Sequence, residues 1–474
     1  GNVIINIDAQ LEQVIENITQ LALQNQEPQW ALDMRKAALV SARTLEAPSR
    51  QEETWRRSSP DWFFPERAKA LRLSGEKLIV DEFQLTSEAA ASLHEYGINS
   101  AADAVDVAQE QALANKHADS LEQDGVCIIS MTQALQKEES LKNSFFKAEH
   151  HQKDLSSALN GALRTGGAYI KVTPQAKAER AFHVLHEIGE AATEDKSQAE
   201  AQNCHFNHSV ICANGPGQAV VVESFKNSDA EPIKVHSLIE FDLANGAHLN
   251  YVLVGDWNKG TACLTTIHAR LGKDASLKII YAGIGSGLSK TFFAEDLNAA
   301  GAKTEIYGVV LADGKSRSDV DTFVHHKAPH TYSNVLFNCA VSGKARSIFA
   351  GNIYVDQVAQ QTDAYQKNQN LMLSPQARAE SMPKLEIIAD DVRCTHGASF
   401  TDYNQEQLFY MQSRGLSEAE AKSLLTAGFF QEIVEKADND TVSFNQVPHK
   451  KEAICENTFR TYRKISRKSS CHNT

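Results

Sequence analysis

Cys394-Thr395-His396-Gly397 closes an extended stretch that begins at Pro383 and reads PKLEIIADDVRCTHG. A thiolate and an imidazole suit iron, zinc or a nascent iron–sulfur cluster. On a strand, residues two apart share a face and lie roughly 7 Å apart at about 3.4 Å rise per residue. Metal–ligand bonds of roughly 2.0–2.3 Å oblige such a pair to lean together on one ion. A polynuclear cluster, or a partner that supplies further ligands, relaxes that demand. Taken alone, such a pair is more often buried and structural than ligating. A Cys–His hydrolase lacks support, because no G-x-S-x-G element or family-specific cysteine-protease context accompanies the pair.

Three other constellations are weaker. His325, His326, His330 and Cys339 offer metal donors, but their spacing matches no closed zinc pattern, and adjacent histidines on a strand face opposite ways. Gly283-Ile284-Gly285-Ser286-Gly287-Leu288-Ser289-Lys290-Thr291 imitates a phosphate loop. A P-loop needs Gly directly before Lys-Thr, and Ser289 stands there; G-x-G-x-x-G fails at Leu288. A turn between strands is the expectation, with no ATP hydrolysis by this chain. Asp390 and Asp391 are the paired carboxylates that a carbohydrate-active β-helix enzyme would use, but neighbours on a strand diverge.

The elements that position these residues change character along the chain. Residues 1–150 read mainly as helices. Asp8 can cap a helix with the stripe Leu11, Val14, Ile15, Ile18, Leu21 and Ala22, and a second helix is expected over Trp30–Leu45. Trp55, Trp62, Phe63 and Phe64 flank Pro60 and should pin a loop to the core. Helical patterns follow near 87–96 and 101–118, then Asp124-Gly125 turns into a strand at Val126–Ile129. From about Gly166 to Gly397, short β-rich runs recur between Gly, Asn and Asp residues, without a helical stripe and without an exact repeat. A sandwich, a barrel or a parallel β-helix all fit that pattern.

After residue 402 helices return. Asn404 and Gln407 suit a helix start that Gly415 ends, and Ser417-Glu418-Ala419-Glu420 is a capping box. The next stripe is Ala421, Leu424, Leu425, Gly428, Phe429 and Ile433. The basic tail, 447–474, is expected to be a solvated or disordered extension rather than a binding site.

With 474 residues, the chain can hold two or three domains. Its formal net charge of −13 argues against reliance on phosphate neutralisation, hence against nucleic acid. No apolar run is long enough for a bilayer, and no secretory signal pattern opens the chain. The missing initiator Met is expected of a trimmed or partial N-terminus. Eight cysteines without a C-x-x-C point to reduced thiols in a cytosol-like compartment.

LEIIADDVRCTHGA followed by EQLFYMQSRG resembles the C-terminal signature of SufD, a subunit of the SUF iron–sulfur cluster assembly scaffold. HHKAPHTYSN, GKARSIFAGNIYV and QQTDAYQKNQNLMLS extend the likeness in the same order; LNGALRTGGAYIKV, GPGQAVVVESF and ETWRRS match more loosely. The sequence departs from the family pattern at Phe337-Asn338-Cys339, at Asn352 and after Ala398.

The resemblance implies a mainly β fold: a right-handed parallel β-helix over 151–400, a helical region over 1–150 and a C-terminal helical domain over 401–446. It implies a non-catalytic scaffold that pairs with the paralogue SufB through the β-helix, with a homodimer as the form in isolation. ATP hydrolysis would belong to the ABC-type ATPase SufC. His396, with Cys394 beside it, would help form a nascent iron–sulfur cluster, transient and shared with SufB, with none held stably by this chain alone. Phe409, Tyr410, Arg414 and Gly415 would meet SufC. The compartment would be cytoplasm or plastid stroma. A SufB-like primary scaffold is the nearest alternative.

Overall fold

The computed structural model describes residues 3–84, 119–144, 153–189, 200–227, 232–283 and 285–438. The helical patterns read near 87–96 and 101–118, and the basic tail, lie outside these residues.

Strand β1 (Val3–Ile5) precedes helices α1 (Leu11–Gln24) and α2 (Gln29–Thr44). The α1 stripe buries Val14, Ile18, Leu21 and Ala22, while Leu11 stays exposed. Asp8 does not cap α1. Gln10 holds that position without a side-chain bond, and the Asp8 carboxylate instead pairs with Arg67 at 3.1 Å. Two 3-10 turns, Glu53–Trp55 and Pro60–Trp62, then carry the aromatic loop.

That loop is fastened as expected. Trp55, Phe63 and Phe64 are buried, and Lys290, fully buried, lies 4.9 Å from the Trp55 ring and 4.8 Å from that of Phe292. Its ammonium donates to Asp319 at 2.8 Å and to the Thr54 carbonyl, and the Ser58 hydroxyl donates to the same Asp319 oxygen at 2.6 Å. Arg57 reaches Glu380, so the loop spans toward the far end of the molecule.

The first 150 residues also contribute strands: β2 (Leu71–Leu73), β3 (Glu76–Gln84), β4 (Leu121–Gln123) and β5 (Val126–Ser130). Helices α3 (Met131–Lys137), α4 (Leu141–Ser144) and α5 (Leu155–Leu163) follow. Asp154 caps α5 by accepting from the Ser156 and Ser157 amides. Strands β6 (Ala168–Val172) and β7 (Lys177–Ile188) then enter the main body. There β2 pairs with β8 (Gln202–Ala213) and β3 with β7, so these early strands close one end of the stack.

From β7 onward the chain alternates between two parallel sheets in a β-helix of about seven turns. The remaining strands are β9 (Gln218–Asn227), β10 (Ile233–Leu243), β11 (His248–Asp256), β12 (Thr261–Leu271), β13 (Ser276–Gly283), β14 (Leu288–Leu297) and β15 (Lys303–Ala312). They continue as β16 (Arg317–His326), β17 (Tyr332–Val341), β18 (Arg346–Val355), β19 (Asp363–Met372), β20 (Arg378–Ile387) and β21 (Arg393–Asp402). Even-numbered strands from β8 to β20 stack in one sheet, odd-numbered strands from β7 to β21 in the other. Gly314 and Gly343 stack in successive turns, both at φ +62°, a conformation glycine adopts without steric cost. Alternate residues of every rung fill the bore, whose core includes Ile239, Ile267, Phe293, Ile306, Val335 and Phe349.

A polar cluster interrupts the bore at its closed end. His186 lies between Glu76 (2.9 Å) and Glu223 (2.8 Å); Ser209 and Tyr251 donate to Glu223 at 2.6 and 2.9 Å, and His205 meets Glu76 at 3.1 Å. Burial opposes charge on His186, but Glu76 and Glu223 outweigh it and raise its pKa to about 10. Burial likewise opposes charge on Glu76, yet His186 and His205 hold its carboxyl well below the usual range. A raised imidazole contributes stability that is complete below its unfolded value of about 6.5 and is lost as pH rises through about 10. The melting temperature should therefore fall between about pH 7 and pH 10. His186→Gln should lower it at pH 7 and flatten that decline, and an unchanged slope would remove His186 as its origin.

Helices α6 (Gln405–Ser413) and α7 (Glu418–Asp438) end the described chain. Asn404 caps α6 through the Glu406 and Gln407 amides, and Gly415 at φ +95° ends it. The Ser417–Glu420 capping box forms in both directions. The α7 stripe differs from expectation. Ala421, Thr426, Phe430 and Ile433 are buried while Leu424 stays exposed, because α7 lies against β15 and β17, with Phe430 and Ile433 in one cluster with Tyr307, Val309, Leu336 and Ala340.

Candidate functional site

The two sheets of the β-helix stack in register, so partners in successive rungs point the same way. Among the described residues, β20 pairs only with β18 and β21 only with β19. The last rung thus presents unpaired backbone edges and the mouth of the bore.

Four columns reach that mouth along the second sheet. They run Ser333–Ala364–Cys394, Val335–Gln366–His396, Phe337–Asn368–Ala398 and Cys339–Asn370–Phe400. The β17 and β19 members are all buried. On β21 the same inward positions open to solvent: Cys394 is half-buried, His396 exposed and Phe400 54% exposed. Cys394 and His396 share the bore-facing side of one strand, at the rim. Across the mouth, Ser381, Pro383, Leu385 and Ile387 of β20 stand over Phe349, Gly351, Ile353 and Val355. Exposed Ile387, Ile388 and Phe400 make this end apolar.

Cys394 packs against the corner cluster of Ile353, Val355, Ala359, Ala364 and Ala389. Burial, then the nearby Asp363 carboxylate, pushes its thiol pKa up. The free chain therefore holds Cys394 as a neutral thiol. Among the described residues no group of three or more His, Cys, Asp or Glu side chains is assembled to hold a metal ion. The rim supplies two donors of the type that iron and sulfide chemistry uses, facing the same space.

The amide column below the rim was not singled out from the sequence. Gln366, Asn368 and Asn370 are buried in the bore, where apolar residues are the usual filling. Asn368 donates to the Phe337 carbonyl at 3.1 Å and Asn370 to the Asn368 side chain at 2.9 Å. Their period-two spacing in DAYQKNQNLM was the available signal.

Other sequence candidates separate. His325 faces outward to Asp356 at 2.9 Å, whereas His326 faces inward to Thr331 and Ser333 at 2.7 and 2.8 Å, with burial lowering its pKa to about 3. Cys339 lies in the bore, its thiol pushed up to about 11 by burial. Gly285 belongs to the connection between β13 and β14, where a Cβ would come within 2.5 Å of the Trp257 amide nitrogen. Asp390 and Asp391 are not strand residues. They occupy the turn after β20, where Asp391 ties to Gln360 and Gln361 of the turn below.

On α6, Phe409 is 73% and Tyr410 58% exposed, large apolar rings on a solvent face. Arg414 stacks at 4.9 Å on the Tyr410 ring and donates to its hydroxyl at 2.6 Å, which stiffens the pair. The α7 anchor, with Gln369 donating to Glu432 and Asn338 to the Phe429 carbonyl, fixes these helices against the β-helix wall.

Residues 195–429 match the family model described as SUF system FeS cluster assembly, SufBD core domain. An iron–sulfur cluster assembly SufBD family protein of Mycobacterium tuberculosis is 32% identical over 266 residues, 54% of this chain and 65% of that protein. The iron–sulfur cluster assembly protein SufD of Escherichia coli is 27% identical over 51% of this chain and 57% of its own length. The chloroplastic protein ABCI7 of Arabidopsis thaliana is 25% identical over 60% of each. The chain thus spans about two-thirds or less of the length of these relatives.

Proposed function

The chain belongs to the SufBD family of iron–sulfur cluster assembly proteins, and from that premise we propose that it is a SufD-type scaffold subunit. The observation that carries this reading is the open rim, where Cys394 and His396 face one solvent-accessible space beside unpaired strand edges. Two donors cannot complete a coordination shell of four. A SufB paralogue seated on the same apolar rim supplies the rest, and the nascent cluster forms between the two as cargo, not as a resident group of this chain. Unpaired edges and exposed Ile388 and Phe400 suit such an end-to-end partner. A second copy of this chain takes the same place when the paralogue is absent.

The second contact is made by α6. Phe409 and Tyr410, with Arg414 and Gly415, form the docking face for the ATPase SufC, which supplies the nucleotide chemistry. This chain is non-catalytic. Among the described residues no helix is long and apolar enough to cross a membrane, and cytoplasm or plastid stroma is the compartment proposed.

The test is co-purification with the cognate SufB and SufC. A stable three-protein assembly is expected. Phe409→Asp should release SufC while leaving the SufB pair intact, because a central aromatic anchor carries at least about 2 kcal/mol of an interface. A chain that stays apart from both partners would refute the assignment, and SufC retained by Phe409→Asp would move its contact elsewhere.

A further inference from the structure

Gln366 sits one rung below His396 in the same column, about 4.8 Å away along the stack. It is 2% exposed, and its Nε2 donates to the Gly351 carbonyl across the bore at 2.9 Å. Its other side-chain atom, Oε1, has no hydrogen-bond partner among the described residues. Glycine at 351 permits this pose, since a Cβ there would stand 2.3 Å from Oε1. The carboxamide is thus held across the bore with a buried acceptor left over.

The neighbouring amides do not offer the same thing to His396. The Asn368 oxygen already accepts from Asn370. The Asn370 oxygen is also unpartnered, but it belongs to the column of Phe400, four residues further along the rim. Gln366 Oε1 is therefore the buried acceptor in the column of the exposed imidazole.

We propose that Gln366 is a positioning residue: its side-chain carbonyl accepts the N–H of the His396 ring and fixes which ring nitrogen keeps its lone pair. A neutral imidazole has one donor and one acceptor nitrogen, and a bond at one decides the tautomer at the other. With its N–H turned down to Gln366, the ring presents the free nitrogen at the mouth of the bore, where an incoming iron would meet it. Acceptors of this kind orient ligating histidines and raise their basicity. The inference rests on the scaffold reading for the purpose of that nitrogen, but not for the hydrogen bond itself.

The experiment uses the full chain with ring-15N histidine and reads the two ring nitrogen shifts of His396, assigned by their loss in His396→Asn. The wild type should show one dominant tautomer. Gln366→Met, which keeps the length and removes the acceptor, should move both shifts toward those of an unconstrained imidazole. Gln366→Asn, one methylene shorter, should do the same and serves if the Met variant does not fold. Ring shifts identical in wild type and variant would overturn the proposal.

In the assembly with SufB and SufC, Gln366→Met should slow cluster formation by about 10- to 100-fold. Added to His396→Ala it should cause no further loss. Slowing without a change in the ring shifts also overturns the proposal, because Gln366 would then act through the fold. If His396→Ala assembles clusters normally, the role of His396 in cluster formation fails, while the ring shifts still decide the hydrogen bond.

Discussion

Replacing His396 by Ala should slow cluster formation in the assembly with SufB and SufC by about 100-fold or more, since loss of mere supporting contacts to a ligand already costs about 10–100-fold. The same change should lower the melting temperature of the chain only slightly. His396 is exposed on the last rung of the isolated protein, so its loss removes little packing and at most the one hydrogen bond proposed to Gln366, about 0.5–1.5 kcal/mol. That separation of activity from stability is the signature of a side chain kept for a partner rather than for the fold. Cys394→Ser is expected to divide differently. Cys394 is half-buried against an apolar corner, so a hydroxyl there loses packing as well as the sulfur donor. Normal assembly kinetics in His396→Ala, measured on a complex of the right composition, would make His396 an ordinary surface residue.

The largest stability effect should come from Lys290, far from the rim. Its ammonium is fully buried, held by Asp319 at 2.8 Å, with Asp321 at 3.6 Å, and covered by Trp55 and Phe292. Lys290→Met leaves buried Asp319 and half-buried Asp321 without their cation, and breaking a buried pair in this way costs about 3–5 kcal/mol. Burial already pushes the Asp321 carboxyl up to about 6, although Lys290 counters it, so the site has little tolerance for an unpaired charge. The aromatic loop should detach first, because the Ser58 and Thr54 contacts converge on the same point. Limited proteolysis within residues 49–65 reads that detachment, and thermal melting reads the total loss. Lys290→Met combined with Asp319→Leu should recover part of the stability, since the buried charge facing the loop is removed as well. A Lys290→Met protein as stable as the wild type would show that the aromatic packing alone fixes the loop.

Much of the β-helix could be read from the sequence, and the reason is local. Short runs bounded by Gly, Asn and Asp specify strands and turns wherever they occur, and Gly314 and Gly343 mark turns of equal shape. Stacking is another matter. Ile233, Thr261, Leu288 and Arg317 begin successive strands of one sheet, but their side chains differ in size and charge, and the start recurs as the same residue only over the last three rungs, Arg317, Arg346 and Arg378. Through most of the stack what repeats is backbone geometry rather than residue type, so periodicity left sandwich, barrel and β-helix open, and the likeness to SufD was needed to choose.

The rim shows the same limit. Cys394 and His396 were legible as a pair on one strand face. Gln366, Asn368 and Asn370 were not, because a pattern reading puts polar alternation toward solvent. Here the amides point into the bore, where they donate to backbone carbonyls of Gly351, Phe337 and Ser399 and, from Asn370, to Asn368, which reverses the expected phase. Asp8 misled for a related reason: its capping geometry is local, while its partner Arg67 is distant in sequence.

The central claim is that the open rim delivers His396 to a cluster shared with a second subunit. It is tested most directly by supplying 15N-histidine to this chain alone, assembling it with unlabelled SufB and SufC, and loading and reducing the cluster. Electron–nuclear coupling is then measured. A 15N coupling that disappears in His396→Asn is the expected result. A reduced cluster on the intact assembly with no 15N coupling would contradict the account.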